Sequence, residues 1–491
     1  MITLVYPEDG RLEQLVPLGL CFVGAYLERY GIRVNALDMR HHKIDDLKRA
    51  AKTSEFLGFS VMTIRLNKAL KFAQIAKKAN PKVKIIFGGP HPSIYPKETL
   101  TNKQVDFVVI GEGEETALDL VRHSDKPGAV NGIAYKKGRQ TIITKPRDRI
   151  EDLDSLPFPD RDLFPLKEML KKAPYWPCIT PYPQLSMLSI RGCPYNCNYC
   201  QPTLRKIFTN TVKRRSPERT VDEMEFLYRK YQPASIFMAD DLFTANKEWA
   251  LAVCREIRKR GLHKKLIWEC ESRVNTVDDQ IARELKKSGC YMLWFGIESY
   301  SQKTLNTLRK GTTAEQNIKA IKLCQKHGLM VLEQMMVGNP NESLKDLYQT
   351  LRTSRQVKAD ISAVSVTSPI PGTDLYDSLV KENKLLIKNS DELGARYRGR
   401  EKFELQYSAD QRDRVYDRLK FAGEINLWYL LTRDYYRAVF LRRMKSHLET
   451  GNFGVIFTDL ARIVYGALPF PLANSLERLV APIKGFILQT S

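Results

Sequence analysis

Cys193-Pro194-Tyr195-Asn196-Cys197-Asn198-Tyr199-Cys200 is the stretch from which the rest of the chain is read. Its three thiols are spaced CxxxCxxC and follow a strand expected over 185–190 and a turn at Arg191-Gly192. Three thiolates on one loop suit three irons of a cubane cluster and leave the fourth iron open to another ligand. A structural zinc site asks for four closed ligands. The chain has no second CxxC, and no His lies near the loop. An odd number of closely spaced thiols also disfavours disulfides. Zinc and an incidental grouping of cysteines are the alternatives to the cluster.

At 491 residues, 43% hydrophobic and 27% charged, the chain has the composition of a globular protein of two or three domains. The other six cysteines, at positions 21, 178, 254, 270, 290 and 324, are scattered, as expected in a reducing compartment. Met1-Ile-Thr-Leu-Val-Tyr6 opens directly into a strand pattern rather than a leader, so a cytoplasmic location is expected. A formal net charge of +22 favours an anionic partner: nucleic acid, a membrane surface or a phosphorylated substrate. A solvated basic surface is the plain alternative.

Up to about residue 125, apolar runs at 2–6, 33–37, 56–61, 83–87 and 106–110 alternate with helical patterns such as 18–30 and 66–79. That alternation predicts a doubly wound parallel sheet. Ligands of such sheets bind beyond the carboxyl ends of the strands. Those ends carry Gly58-Phe-Ser60-Val-Met-Thr63, Gly88-Gly89-Pro90-His91 and Gly111-Glu112-Gly113-Glu114-Glu115. Glycine there lets a backbone approach a large ligand closely, although tight turns ask for it equally. Residues 126–180 read as a hairpin around Lys136-Lys-Gly-Arg139 and a Pro-rich linker, Leu153-Asp-Ser-Leu-Pro157-Phe-Pro159. A second alternation over 181–380 has strand patterns at 185–190, 235–239, 266–270, 291–297, 330–337 and 361–367. Six such units predict a partial (βα)6 barrel, whose chemistry sits at the carboxyl strand ends. Asp240-Asp241, Glu271-Ser272-Arg273, Glu298-Ser299, the 338–342 loop and the 369–373 loop occupy those ends. Asp240-Asp241 also reads as a helix cap.

The last region, 381–491, is expected to be mainly helical and to serve substrate or partner binding. Ile425, Trp428, Tyr429, Thr432, Tyr436, Val439 and Phe440 form an apolar stripe interleaved with Arg433, Arg437, Arg442 and Arg443. Such a stripe packs into a core, or rests on an anionic membrane. The 463–473 run is too short to span a bilayer and contains Pro469 and Pro471.

The cysteine loop, with Tyr199 before its last thiol, resembles that of radical S-adenosylmethionine (SAM) enzymes. Pro17-Leu-Gly19-Leu, Gly31-Ile-Arg-Val with Asp38, Gly88-Gly-Pro-His-Pro and Gly111-Glu-Gly-Glu resemble the cobalamin-binding domain fused to many of them. The resemblance implies a 4Fe-4S cluster on Cys193, Cys197 and Cys200. It implies cobalamin contacts at Pro17, Gly19, Ser60, Thr63, Gly88, Gly89, His91, Gly111, Glu112, Gly113 and Glu114. It also implies SAM contacts at Tyr199, Asp240, Asp241, Arg273, Glu298 and Ser299: a carboxylate for the SAM ammonium, Arg273 for its carboxylate, and Glu298-Ser299 for its ribose. In cobalamin proteins with DxHxxG, the His ligates cobalt. Asp38-Met39-Arg40-His41-His42 brings the first His one place late, so no cobalt ligand is expected from that loop.

The activity implied is methylation of an unactivated carbon with two SAM, methylcobalamin giving the methyl group and a deoxyadenosyl radical abstracting hydrogen. Ring formation or rearrangement without methyl transfer is the nearest alternative, and a cobalamin or iron–sulfur sensor the alternative outside catalysis. Methylthiotransferases carry further N-terminal cysteines, and this region has Cys21 alone. The expected partners are an anionic or lipid-like small-molecule substrate and an external flavodoxin- or ferredoxin-type electron donor. No nucleic acid is expected, and contact with a membrane would be peripheral.

Overall fold

The computed structural model describes residues 1–8, 15–170, 180–387, 403–421 and 427–449, with isolated positions at 392, 453, 455, 456, 459, 460 and 463. The chain forms two compact units, the first made of Met1–Met169, Gly192–Arg215 and Ser368–Arg396. Its sheet runs β1 (Ile2–Tyr6), β2 (Val34–Asp38), β3 (Phe56–Ser60), β4 (Lys84–Gly88), β5 (Phe107–Val109), β6 (Ile133–Lys137) and β7 (Gln140–Ile143), in the order β2-β1-β3-β4-β5-β6-β7. The first five strands are parallel, as near-continuous apolar runs between helices require. Val5, Leu57, Phe59, Ile85 and Phe87 pack with Leu47, Ala51, Phe72, Ala73 and Ala76 of the crossover helices. The hairpin expected between the two alternations extends this sheet: β6 pairs antiparallel with β5 and with β7. Its two-residue turn has Gly138 at φ +62°, the positive dihedral that tight hairpins need.

The second unit comprises Leu170–Arg191, Ser216–Thr367 and Tyr397–Ser491. It is built on a six-stranded sheet of β8 (Gln184–Met187), β11 (Ser235–Met238), β12 (Ile267–Ser272), β13 (Cys290–Glu298), β14 (Met330–Val337) and β15 (Ile361–Val366). Two short strands, β9 (Ile190–Arg191) and β10 (Lys213–Arg214), flank the cysteine loop in sequence. All six sheet strands are parallel and each pairs with the next, which is the open (βα)6 arrangement predicted from the sequence. The strand expected over 185–190 stops at Met187 for a physical reason. The Ser189 and Ile190 amides donate to the Asp240 carboxylate, so they leave the ladder.

The described C-terminal helices are Ala409–Phe421, Leu427–Thr432 and Asp434–Glu449. Tyr429, Tyr436, Val439 and Phe440 pack on Tyr291, Met292, Met330, Leu332 and Ile361. The aromatic stripe is therefore core. Two of its arginines pair with buried carboxylates, Arg433 with Asp360 at 2.5 Å and Arg443 with Asp459 at 2.6 Å. Thr432 is exposed, while Ile425 and the side chain of Trp428 lie outside the described residues. Among the described residues, no helix is long and apolar enough to cross a membrane.

Candidate functional site

In the first unit the carboxyl strand ends form a polar rim. Asp38 at the end of β2 is fully buried and grips Arg40 at 2.6 Å. The Arg40 and Arg65 guanidinium groups lie 4.8 and 4.9 Å from the Tyr6 ring centroid, and Arg65 also pairs with Glu8. Arg40 thus takes the place that His has in DxHxxG. His41 is exposed, and His42 turns its Nδ1 back to the Asp38 main chain.

At the end of β4, Gly89 has φ +94°, and a Cβ there would lie 3.1 Å from the Val61 amide nitrogen. His91 follows, 4% exposed, with Nδ1 3.3 Å from Thr63 Oγ1 and, among the described residues, no hydrogen-bond partner at Nε2. Burial pushes the His91 pKa down to about 4, so the imidazole is neutral at pH 7. An unsatisfied buried nitrogen costs about 1–3 kcal/mol, a cost that a ligand at the rim relieves. Gly111 has φ +88°, and its amide donates a hydrogen bond to Ser93 Oγ. Glu112 accepts from the Ile150 amide, and Glu114 is buried in the first turn of the next helix. Gly113 sits where a Cβ would come within 3.1 Å of Val23. Pro17 and Gly19 open the helix Leu18–Arg29, with Gly19 facing open space. These residues fit a large ligand at the rim, with backbone cradles at Gly89 and Gly111 and the orphaned His91 Nε2 beside them.

The thiol loop belongs to the same unit. Cys197 is buried, Cys193 and Cys200 are partly exposed, and none is disulfide-bonded. Tyr199 lies in the turn and is partly buried. Arg205 anchors the loop by donating to Asn196 Oδ1 at 2.9 Å and Asp374 Oδ2 at 2.7 Å. The Leu375 amide donates to the Asn198 carbonyl. Behind the loop, Pro202 and Ile94 both crowd Gly372, and Ile207 approaches Gly111. The helix after the thiols therefore packs on the rim loops of β4 and β5. Among the described residues, no three His, Cys, Asp or Glu side chains converge on one point as a mononuclear site requires. Thiolates of a cubane each bind a different iron, so the donor set fits a cluster.

In the second unit, Asp240 is fully buried, and Ser189 Oγ adds a 2.5 Å hydrogen bond to the two amide contacts. Burial raises its pKa to about 7 against those hydrogen bonds. The carboxylate expected to meet the SAM ammonium thus clamps the chain just before the thiol loop, and Asp241 beside it is partly exposed. Strand alternation puts Glu269 and Glu271 on one face of β12, and Arg273 follows its carboxyl end. Glu269 accepts from Gln184 Nε2 at 2.5 Å and Trp294 Nε1 at 3.0 Å, and burial raises its pKa to about 7. Glu271 is also raised to about 7, by burial and then by the charges of Asp241, Glu269, Glu298 and Asp240. Arg273 is buried, with its guanidinium 3.4 Å from where a Cβ on Gly311 would stand. Glu298 ends β13 at φ +60° and is bound by Lys310 Nζ at 2.8 Å. Ser299 bonds Thr350 Oγ1 and accepts from the Ser301 amide, so it holds the strand end in place. The 338–342 loop closes on Glu342, which accepts from the Gly338 and Asn339 amides and from Tyr407. Sequence reasoning placed Glu271 at a strand end without giving it a role, and missed Ser189, Glu269 and Lys310. Alternation in Trp268-Glu-Cys-Glu-Ser-Arg273 signals the glutamates; nothing in the sequence signals Lys310.

Comparison with known proteins bears on both units. Residues 11–121 match the B12 binding domain and residues 187–353 the radical SAM superfamily. An uncharacterized methyltransferase of Pyrococcus horikoshii is 30% identical over 79% of this chain and 85% of its own length. The anaerobic magnesium-protoporphyrin IX monomethyl ester cyclase of Rubrivivax gelatinosus is 27% identical over 91% of this chain and 81% of its own. Among solved structures, the cobalamin-dependent SAM radical enzyme OxsB with aqua-cobalamin and SAM bound aligns with TM-score 0.71 at 16% identity, covering 100% of this chain and 80% of that one. The chain belongs to the cobalamin-binding radical SAM enzymes. It is a radical SAM enzyme whose cofactors are cobalamin, a 4Fe-4S cluster and SAM.

Proposed function

We propose that the protein is a methyltransferase acting on an unactivated carbon of a small molecule, with two SAM consumed per methylation. The observation that carries this reading is the first unit itself, where the three-thiol loop and the glycine-cradled rim pack together in one compact body. When bound, the cluster and cobalamin supply reductive cleavage of SAM and a transferable methyl group. Cys193, Cys197 and Cys200 hold the cluster. Arg205 and Gly192 fix their loop. Gly89, Gly111 and His91 receive the corrin, and His41 and His42 stay off the cobalt. Arg273, Glu298 and Asp241 orient SAM, while Asp240 positions the chain that leads into the cluster loop. We place cobalamin binding in residues 1–125, a hairpin and linker in 126–180, the radical SAM core in 181–380, and substrate or partner contacts in 381–491. An external flavodoxin- or ferredoxin-type donor supplies the electron.

The test is incubation of the reconstituted enzyme with cell extract, methyl-labelled SAM and a strong reductant. Label in a new carbon-bound methyl group, with S-adenosylhomocysteine and deoxyadenosine formed together, supports the proposal. One observation favours a second reading, ring formation: the Rubrivivax cyclase matches over 91% of this chain, including most of the C-terminal region. Substrate-dependent deoxyadenosine without label transfer or S-adenosylhomocysteine would select it.

A further inference from the structure

The carboxyl edge of the second unit's sheet holds an ion pair whose lysine the proposed function does not use. Lys310 and Glu298 meet at 2.8 Å with side chains only 9% and 10% exposed. Desolvating two charges is costly, and a buried pair seldom repays that cost as stability. The backbone is strained at the same point. Glu298 has φ +60°, a left-handed conformation that costs a non-glycine residue about 1–2 kcal/mol. The β13–β14 register shifts between Gly296 and Glu298. Gly296, two residues earlier, leaves the space: a Cβ there would fall 2.7 Å from Glu298 Oε1 and 2.7 Å from Lys310 Nζ. Three departures from ordinary strand chemistry thus serve one contact. Strain and buried charge kept together at the carboxyl end of a barrel strand mark a functional position rather than a stabilising one.

The neighbours say what Lys310 does. Glu298 is one of four carboxylates, with Asp241, Glu269 and Asp240, whose charges act on Glu271. Like charges repel a carboxylate in that company, and the Lys310 ammonium group holds this one where it stands. We infer that Lys310 is a positioning residue, holding Glu298 aimed so that its carboxylate accepts hydrogen bonds from the ribose hydroxyls of SAM. This rests on the reading of Glu298 as a SAM contact and adds to it a residue, Lys310, and a spacer, Gly296.

The experiment measures SAM affinity by calorimetry on the full-length, cluster-reconstituted protein, with iron content and the unfolding midpoint recorded for every variant. Glu298→Gln is expected to weaken SAM binding about tenfold, the loss of one charge-assisted hydrogen bond. Lys310→Met is expected to weaken it equally, and the double variant no further, because both act through one carboxylate. The KM for SAM should rise in step, while the rate of deoxyadenosine formation at saturating SAM stays within about twofold. Gly296→Ala keeps both charges and separates them, so it decides the matter if Lys310→Met fails to fold; it too should bind SAM about tenfold more weakly. Wild-type affinity in Lys310→Met, or in Gly296→Ala, with Glu298→Gln impaired overturns the role of Lys310 alone. Wild-type affinity in Glu298→Gln overturns the ribose contact and the inference with it. Additive losses in the double variant would give Lys310 its own contact and also overturn the inference.

Discussion

Replacing Gly192 by Ala should detach the thiol loop from its support. Gly192 has φ +101°, and a Cβ there would lie 2.1 Å from the Thr211 carbonyl oxygen. That oxygen is not free to retreat. Arg149 donates to the Thr211 and Phe208 carbonyls at 3.3 and 3.1 Å and stacks on the Phe208 ring at 4.8 Å. The positive φ costs an alanine about 1–2 kcal/mol. Moving Thr211 out of contact also disturbs charge-assisted hydrogen bonds worth about 1.5–3 kcal/mol. The sum is about 2.5–5 kcal/mol, reaching the exceptional end for one substitution. Gly138→Ala is the matched control, since φ is +62° with nothing within 4 Å; it should cost only the conformational term, about 1 kcal/mol. The assays are the unfolding midpoint and iron bound per chain after anaerobic reconstitution. For a unit of this size about 2–4 °C corresponds to 1 kcal/mol, so the two variants should differ clearly. Gly192→Ala should also lose iron, because its strain is delivered to the residue before Cys193. Equal midpoints and equal iron in the two variants would refute the reasoning.

Changing Cys193, Cys197 and Cys200 together to Ala should remove about four irons per chain and the associated absorbance; iron retained at the wild-type level would move the cluster elsewhere. The double change His41→Ala, His42→Ala should leave bound cobalamin and its spectrum intact, since Arg40 stands at the motif position; loss of the corrin would show that the displaced His is used. Glu271 gives a pH signature. Its pKa is raised from 4.5 to about 7, so its contribution to stability is fully present below about pH 4.5 and is lost as pH rises through about 7. Glu271→Gln should therefore leave stability unchanged at pH 4 and raise it by about 3 kcal/mol at pH 8. A urea-unfolding difference that is the same at both pH values would rule this out.

The two strand–helix alternations and the thiol spacing were legible in the sequence because they are local. Strand and helix periods repeat every two or 3.6 residues, and CxxxCxxC spans a single loop. The glycine-rich strand ends were legible for the same reason. Tertiary structure decided which polar side chains remain available for a ligand. Asp240 and Asp241 read alike in sequence, yet Asp240 is taken by Ser189 and Ile190, across 50 and 51 residues of chain. Glu112 is taken by Ile150, 38 residues on. Lys310 becomes a candidate only because β13 bends at Glu298 and Gly296 leaves room for its ammonium group. The C-terminal stripe could rest on a core or a membrane by its pattern alone, and the fold chose the core by bringing Tyr429 and Tyr436 against β13 and β14. A hydrogen bond or ion pair is short-ranged, so a sequence can list its donors and acceptors, but only the fold can bring a particular pair within 3 Å.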